Sequence, residues 1–467
     1  MMKYIISGTS KVDITPPIGI THANWGAQTH QVSTHNDMPL YVNAVYFRNE
    51  KTEIIIVDID ILVITNEKDQ EIRSIISTET GVHSENIRLS YSHTHSGPTS
   101  YASDWYSEGT DLAKNWLESI GPACLKAVRS AIENSQPSIT KFARGSCNIN
   151  ANRRPIGPDG RLFTGRNING FVIRDVDILG VDDLSGSPVT TIVNYACHPT
   201  IMGPENTAVT PDFPGPMRKL VESTVGGTCL FLQGASGNIG PFDGFTGDLK
   251  EYKKAGNILG AEVIKLRLEM DFFPERDRSL KEIISSGANL GIYNDQPMSN
   301  PDTSLEISNI TVDLPCRELP DLKILQEKYE RLKNKINLLR EDDSSSEKLK
   351  LEISNLRKTN ISINVVKNQK LAARNGSIPI RIQAIRIGDA IFVSMPVEPF
   401  AEIASSIKAE SSFENLIISG FSNGHNAYLP TTEAYEEGGY EVDVSPFAPG
   451  SDQLVTSACL NAVSLVE

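Results

Sequence analysis

Cysteine is scarce in this sequence, with six residues in 467 (Cys124, Cys147, Cys197, Cys229, Cys316 and Cys459) and no Cys-x-x-C pair. That excludes a disulfide framework and suits reduced thiols in a cytosolic protein. Long apolar runs are missing too. No segment approaches the ~18 apolar residues of a membrane span, and the run Met1 to Ser7 is too short for a signal peptide. The expected location is therefore cytoplasmic, with no transmembrane segment. Basic residues are outnumbered 44 to 58, the formal net charge is −14, and no Lys/Arg stripe occurs. This balance argues against nucleic acid or an anionic membrane surface as the main partner and leaves a small-molecule substrate.

What the chain does have is a set of apolar strands, each running out into a polar residue. The run Ile87, Leu89, Tyr91 alternates as a strand does and ends in Ser92-His93-Thr94-His95-Ser96-Gly97-Pro98. Residues two apart on a strand share a face, so His93 and His95 are expected to project together, and paired imidazoles suit a metal such as zinc. Pro188 to Cys197 is a second buried strand, ending at His198-Pro199. A third, Ala390 to Ser394, leads to Pro396-Val397-Glu398, with Glu402 one helical turn further as a rival carboxylate. A fourth, Leu416 to Gly420, leads through His425 to Tyr428 and then to the Gly438-Gly439-Tyr440-Glu441 turn. Core packing alone does not call for a polar residue at each exit.

Between these strands the pattern changes to helical spacing at Asn66 to Thr80, Asp111 to Asn134 and Leu249 to Met270. Alternating strands and helices predict an α/β layered domain with its site at strand ends. Asp58 and Asp60, two apart in the apolar run Ile54 to Ile64, are expected either to orient metal-bound histidines or to bond neighbouring loop backbone. Asp212 is expected to cap the helix opened by Pro214. His22, His35 and His425 are candidates for the pocket wall. The turn at Gln233 to Pro241 has three glycines but lacks the spacing of a nucleotide-binding loop. Leu322, Leu325, Tyr329, Leu332, Ile336 and Leu339, then Leu349, Ile353 and Leu356 across the polar break Glu341 to Glu347, form the seam of an antiparallel helical hairpin within residues 317–370. Its charged outer faces suit homo-oligomer contacts or the shielding of a site. Residues 1–467 are read as one catalytic domain carrying this insertion.

Taken in order, these motifs resemble the neutral (non-lysosomal) ceramidase family over nearly the whole chain. Ser10 to Pro17 is similar to the family's opening and Ser92 to Pro98 to its His-Thr-His-Ser-Gly-Pro hallmark. Asn152-Arg153, His198-Pro199, the turn at 234–241, Pro396-Val397-Glu398 and Tyr428 follow in the family's order. The resemblance implies an α/β mixed-sheet layered fold and a zinc ion (Zn2+) held by His93, His198, Glu398 and Tyr428. It also implies His95 as hydrogen-bond donor or proton shuttle, Arg153 orienting the substrate's polar head, and Tyr440 stabilising charge at the carbonyl. The turn residues Gly237, Asn238 and Gly240 would contact substrate. The implied activity is hydrolysis of a linear amide in an N-acyl, lipid-like compound by metal-activated water. The alternatives are an ester, lactone or glycosidic bond, or a non-catalytic binding protein.

The chain departs from the family at Gly237-Asn238-Ile239-Gly240-Pro241, where ceramidases carry Gly-Asp-x-Ser-Pro. Gly240 thus replaces the family serine, which excludes a serine nucleophile there and leaves the metal-water route. The sequence also stops at Glu467 with no segment for the family's C-terminal β-sandwich and no secretion signal, so ceramide itself is a doubtful substrate and the shorter bacterial relatives are the nearer match.

Overall fold

The structure is a computed structural model, and it describes residues 4–22, 24–25, 27–28, 30–99, 107–273, 276–297, 300–341 and 346–467. Its central sheet has eight strands in the order Thr228–Gln233, Pro188–Tyr195, Asp175–Asp183, Gln136–Ser146, Ile5–Asp13, Tyr41–Arg48, Glu53–Ile59 and Ile87–Tyr91. The pairs at both ends are parallel and those between are antiparallel, so the sheet is mixed as expected. Strand Ile5–Asp13 pairs with Tyr41–Arg48 along most of its length, but with Gln136–Ser146 only at Ile5, Ile6 and Ser7. At that short seam the sheet doubles over. Val45, Phe47, Ile54 and Ile56 of one half then pack against Leu179, Val181, Ile192, Leu230 and Leu232 of the other.

Helices cover the two outer faces. Asn66–Thr80 and Thr110–Glu133 bury Ile72, Ile76, Trp116, Ile120 and Val128 against one half, and Pro214–Thr224 and Leu249–Glu269 bury Met217, Val221, Leu259 and Val263 against the other. A second sheet, in the order Leu305–Pro315, Ser377–Ile387, Ala390–Ser394 and Leu416–Ser419, carries helices Ala401–Glu410 and Ser451–Ser464 on one face. The other face adds Ile385, Ile387, Phe392 and Ile417 to the core of the doubled sheet. This is the layered mixed α/β architecture expected from the sequence.

Helices Leu322–Glu341 and Ser346–Ala372 lie between the first two strands of the second sheet and meet through Leu325, Ile363 and Val366. The second helix runs on to Ala372, past the end of the apolar pattern at Leu356. The polar break between them lies largely outside the described residues.

The doubled sheet is tied together by charge. Arg218, from helix Pro214–Thr224, donates to Asp58 Oδ2 at 2.8 Å and to Asp60 Oδ1 at 2.6 Å, and all three side chains are buried. Asp58 Oδ2 also accepts from Asn43 Nδ2 and from the backbone N–H of Phe231 in the opposite edge strand. The partners of Asp58 and Asp60 among the described residues are Arg218, Asn43 and the backbone of Phe231 and Tyr41 rather than a site histidine, so their work is structural and not the orienting of metal ligands. Asp212 is also corrected. The N-cap position belongs to Phe213, and Asp212, at φ 58°, instead accepts from the backbone N–H groups of Phe213 and Met202.

Removing one partner of a buried ion pair leaves the other charge uncompensated, at a cost of about 3–5 kcal/mol. Arg218→Leu is therefore expected to lower unfolding stability by roughly that amount in denaturant melts at neutral pH. The deficit should narrow as the pH falls through about 7, because burial pushes the Asp58 carboxyl up to about 7 and its protonation removes part of the stranded charge. A loss that is small and independent of pH would show that the pair does not tie the sheet.

Candidate metal centre

Strand Ile87–Tyr91 stops short of the two histidines, so the sharing of one strand face is not what unites them. His93 sits in the left-handed region at φ 64°, which turns the chain and brings its Nε2 to 3.4 Å from His95 Nε2. The turn is braced: Ser92 N–H and His93 N–H donate to the carbonyls of Ile59 and Ile61. His93 Nδ1 faces the carbonyl of Leu62 at 2.8 Å. A carbonyl only accepts, so the ring proton is on Nδ1 and Nε2 presents its lone pair.

His198 arrives from the other half of the sheet with the same arrangement. Its Nδ1 lies 2.6 Å from the Ser236 carbonyl and 3.1 Å from that of Ile239, both in the glycine-rich turn. Its Nε2 is therefore also a bare lone pair, buried with no hydrogen-bond partner. Glu398 Oε1 bonds His425 Nε2 at 3.0 Å, and its Oε2, likewise unpartnered, lies 3.3 Å from His198 Nε2 and 3.7 Å from His93 Nε2. Lone pairs facing one another at this distance repel unless a cation lies between them. Donor atoms on a tetrahedron of radius about 2.05 Å are about 3.3 Å apart, so the set fits a zinc-sized ion.

The donor nitrogens of His93, His95 and His198 lie within 4.8 Å of one another. The geometry thus sets His95 beside the expected histidine ligands. Burial drives all three imidazoles down, His93 well below its ordinary value and His95 to about 3, which keeps them neutral as metal ligation requires.

Tyr428 adjoins this cluster, its ring stacked 6.4 Å from that of His198. Arg153 Nη2 donates to the Tyr428 hydroxyl at 3.0 Å, and Arg153 Nε donates to Glu441 Oε1 at 2.9 Å. Arg154 Nη1 holds the second Glu441 oxygen at 2.7 Å. The Arg pair is thus not the surface feature such pairs usually are, since both guanidinium groups are buried around one carboxylate. Tyr440 is 47% exposed and lies edge-on to Tyr428 at 5.8 Å.

The remaining expected residues fall into place around these. Gly237 packs so closely that a Cβ would sit 2.6 Å from the Glu398 carbonyl, so a side chain there would displace the ligand strand. Asn238 is engaged at both ends of its amide, accepting from Ala401 N–H and donating to Glu402 Oε2. Glu402 is accordingly absent from the histidine cluster and borders a polar cleft of about 300 Å³ with Glu433, Asp452 and Ser457. At Gly240 a Cβ would meet only Arg153 carbon atoms at 3.5 and 3.7 Å, which is ordinary contact. His22 is buried against His30, 3.3 Å away, and His35 is exposed. Of the three secondary histidines, His425 alone is placed against a proposed ligand.

Sequence reasoning missed Glu441, Trp25 and Phe421. An acidic residue beside Tyr440 was the one available signal that Arg153 and Arg154 would need a buried counter-charge. Phe421 packs on His93 at 4.4 Å, and Trp25 packs on His95 at 4.8 Å. Trp25 N–H is held by the side chain of Gln28, whose own carbonyl accepts from Arg357 of the helical hairpin at 2.6 Å.

A doubled mixed sheet flanked by helices, with histidines and a carboxylate converging at strand exits, defines a layered α/β protein with a buried site of metal-ligand type. The family model described as neutral/alkaline non-lysosomal ceramidase, N-terminal, matches residues 4–242, just over half of the chain, and the protein belongs to that family. Neutral ceramidase A of Dictyostelium discoideum is 25% identical over 262 residues, 54% of this chain and 36% of the relative. Neutral ceramidase B of the same organism is 28% identical over 179 residues, 38% of this chain and 24% of the relative. The chain thus spans about a third or less of the length of these curated relatives. The neutral ceramidase structure from Pseudomonas aeruginosa superposes with a TM-score of 0.69 at 15% identity, covering 99% of this chain and 74% of that one. A ceramidase complexed with C2 gives 0.66 at 17% identity, covering 99% and 76%. At these identities the likeness is one of fold.

Metal content separates ligand residues from wall residues. Wild-type protein is expected to hold about one metal ion per chain, and His93→Ala and Glu398→Ala to lose it, by elemental analysis after dialysis. His425→Ala, which removes only the partner of Glu398, should weaken metal affinity by roughly 10–100-fold, while exposed His35→Ala should change nothing. Equal metal content in all five proteins would dismiss the centre.

Proposed function

We propose that this chain is a zinc-dependent hydrolase that cleaves the amide bond of an N-acyl, lipid-like compound. The observation that carries the reading is the pair of unpartnered, buried lone pairs, His198 Nε2 and Glu398 Oε2, 3.3 Å apart beside a third at His93. His93, His198, Glu398 and Tyr428 would hold the ion. Bound there, zinc supplies a Lewis acid for the carbonyl and a water whose pKa falls from 15.7 to roughly 7.

The chain's own residues supply the rest. Leu62, Ser236 and Ile239 carbonyls fix which nitrogen of His93 and His198 bears the proton, so both rings are oriented before any ligand arrives. Arg153, anchored at Nε by Glu441, offers its Nη2 to the phenol oxygen of Tyr428 and so favours negative charge on that oxygen. Burial, and after it the Glu398 carboxylate, holds Tyr428 well above its ordinary value even against the Arg153 charge, so its use as an oxygen ligand would draw on the charge of the ion itself. Tyr440, half exposed beside Tyr428, is placed to donate its hydroxyl to charge developing at the scissile carbonyl. His95, neutral at physiological pH and packed under Trp25, can take a proton from water and hand it to the leaving amine.

This division of labour predicts how variants split. On a panel of short- and long-chain N-acyl amines and matched esters, analysed by mass spectrometry, the zinc-loaded protein should release amine from amides. Tyr440→Phe should lower kcat by about 10²–10³ with KM little changed, as removal of an oxyanion donor does. Gly240→Ser should fold normally, because the space around Gly240 admits a Cβ, and should retain turnover. Turnover of esters alone would redirect the bond assignment. No turnover by zinc-loaded wild type, or full turnover by His93→Ala, would overturn the reading.

A further inference from the structure

Between helix Leu249–Glu269 and the second sheet the chain forms a two-stranded arm, Leu280–Ile284 paired antiparallel with Leu290–Tyr293. Every residue of both strands is exposed. Leu280 is 50% exposed, Ile283 63%, Ile284 47%, Leu290 53%, Ile292 37% and Tyr293 66%. The register puts Ile284, Leu290 and Ile292 on one face and Leu280, Ile283 and Tyr293 on the other. An antiparallel ribbon that faces water carries polar residues on at least one face, and a lone two-stranded hairpin is marginal in water. This one carries three apolar side chains on each face, with Glu282 opposite Ile292 on one of them, and its base is nonetheless set by Arg278 pairing with Asp271 and by Asn294 Nδ2 donating to Asp277.

We infer that the arm is the contact element of a homodimer, in which each copy's arm is received by the other. Three observations select a second copy as its occupant. Two strands leave unpaired backbone N–H and C=O groups along both edges, which lipid cannot satisfy and another polypeptide can. Residues 276–295 carry three basic (Arg276, Arg278, Lys281) and three acidic (Asp277, Glu282, Asp295) residues, and so are neutral within a chain of net charge −14. A neutral arm has nothing to attract it to an anionic surface, and it meets a copy of itself without repulsion. The area is also sufficient: six half-exposed side chains offer on the order of 500 Å² per copy. Two arms with their receiving surfaces then bury on the order of 2,000 Å², against about 1,600 Å² in a standard interface.

Oligomer contacts are assigned by sequence to the helical hairpin, where Leu325, Ile363 and Val366 are buried against one another and the exposed Ile324, Leu338, Leu351 and Leu371 lie singly along two long helices, whereas the arm gathers six exposed apolar residues on one short ribbon. A closed two-fold dimer uses the same patch twice and so needs no further partner.

The test is sedimentation equilibrium of the full chain at tens of micromolar, beside the double variant Ile283→Lys, Ile292→Lys, which places one charge on each face. Wild type is expected at twice 51.1 kDa, and the variant at the monomer mass, with dimerisation weakened by at least about 100-fold. Both positions are exposed, so unchanged circular dichroism and melting temperature should confirm that the variant folds. A wild-type monomer, or a variant that stays dimeric, would overturn the proposal. So would a wild-type monomer that floats with phosphatidylcholine vesicles, which would make the arm's partner a lipid.

Discussion

The contact on which the rest depends is the one between Arg218 and the aspartate pair Asp58 and Asp60. His93 follows one edge strand of the central sheet and His198 follows the strand next to the opposite edge. In a flat eight-stranded sheet two such strands would be roughly 29 Å apart at ~4.8 Å per strand. They meet because the sheet doubles over at the brief Ile5–Ser7 seam and is held closed from within by a buried ion group. Asp58 serves both sides at once, accepting from Asn43 of its own half and from Arg218 and the backbone of Phe231 across the fold. Apolar packing supplies the adhesion, but it is not directional; the ion group specifies which strand faces which.

Once the histidines meet, their surroundings decide their state. Three carbonyls fix the tautomers of His93 and His198, and the interior's low polarity keeps the rings uncharged, while Glu398 Oε1 is bonded to His425. Each half of the doubled sheet thus contributes one imidazole already aimed at a common point. The carboxylate arrives from the second sheet, so three separate parts of the chain must be correctly docked before the cluster exists. This is preorganisation in the sense that the cost of arranging the donors is met in folding.

Much of this was legible in the sequence, for reasons that also explain what was not. Strands with continuous apolar runs, such as Pro188–Tyr195 and Ala390–Ser394, announced themselves. Gln136–Ser146 and Asp175–Asp183 did not, because Lys141, Arg144, Asp177 and Asp182 interrupt them and are neutralised only by distant partners such as Asp389, Lys408 and Arg267. The His93–His95 pairing was read from strand periodicity, whereas a left-handed turn produces it; spacing identified the residues and could not identify the turn. For Asp58 and Asp60 the local pattern leaves open the orienting of metal-bound histidines and the bonding of backbone; both do accept backbone N–H groups, from Phe231 and Tyr41, but the pattern does not show the arginine 160 residues from Asp58 that binds the pair. Glu441 was missed for the same reason, since its value lies in facing Arg153 and Arg154 from nearly 290 residues downstream.

The bond from Arg357 to the carbonyl of Gln28 joins an insertion to the edge of the site. Gln28 holds Trp25, and Trp25 covers His95, so the helical hairpin reaches the reactive region through a relay of three residues. None of the proposed ligands takes part in that relay. Changes in the length or register of the hairpin can therefore reshape the mouth of the site while leaving its donors in place. A lineage carrying such an insertion has a means of diversifying what it admits without disturbing how it reacts.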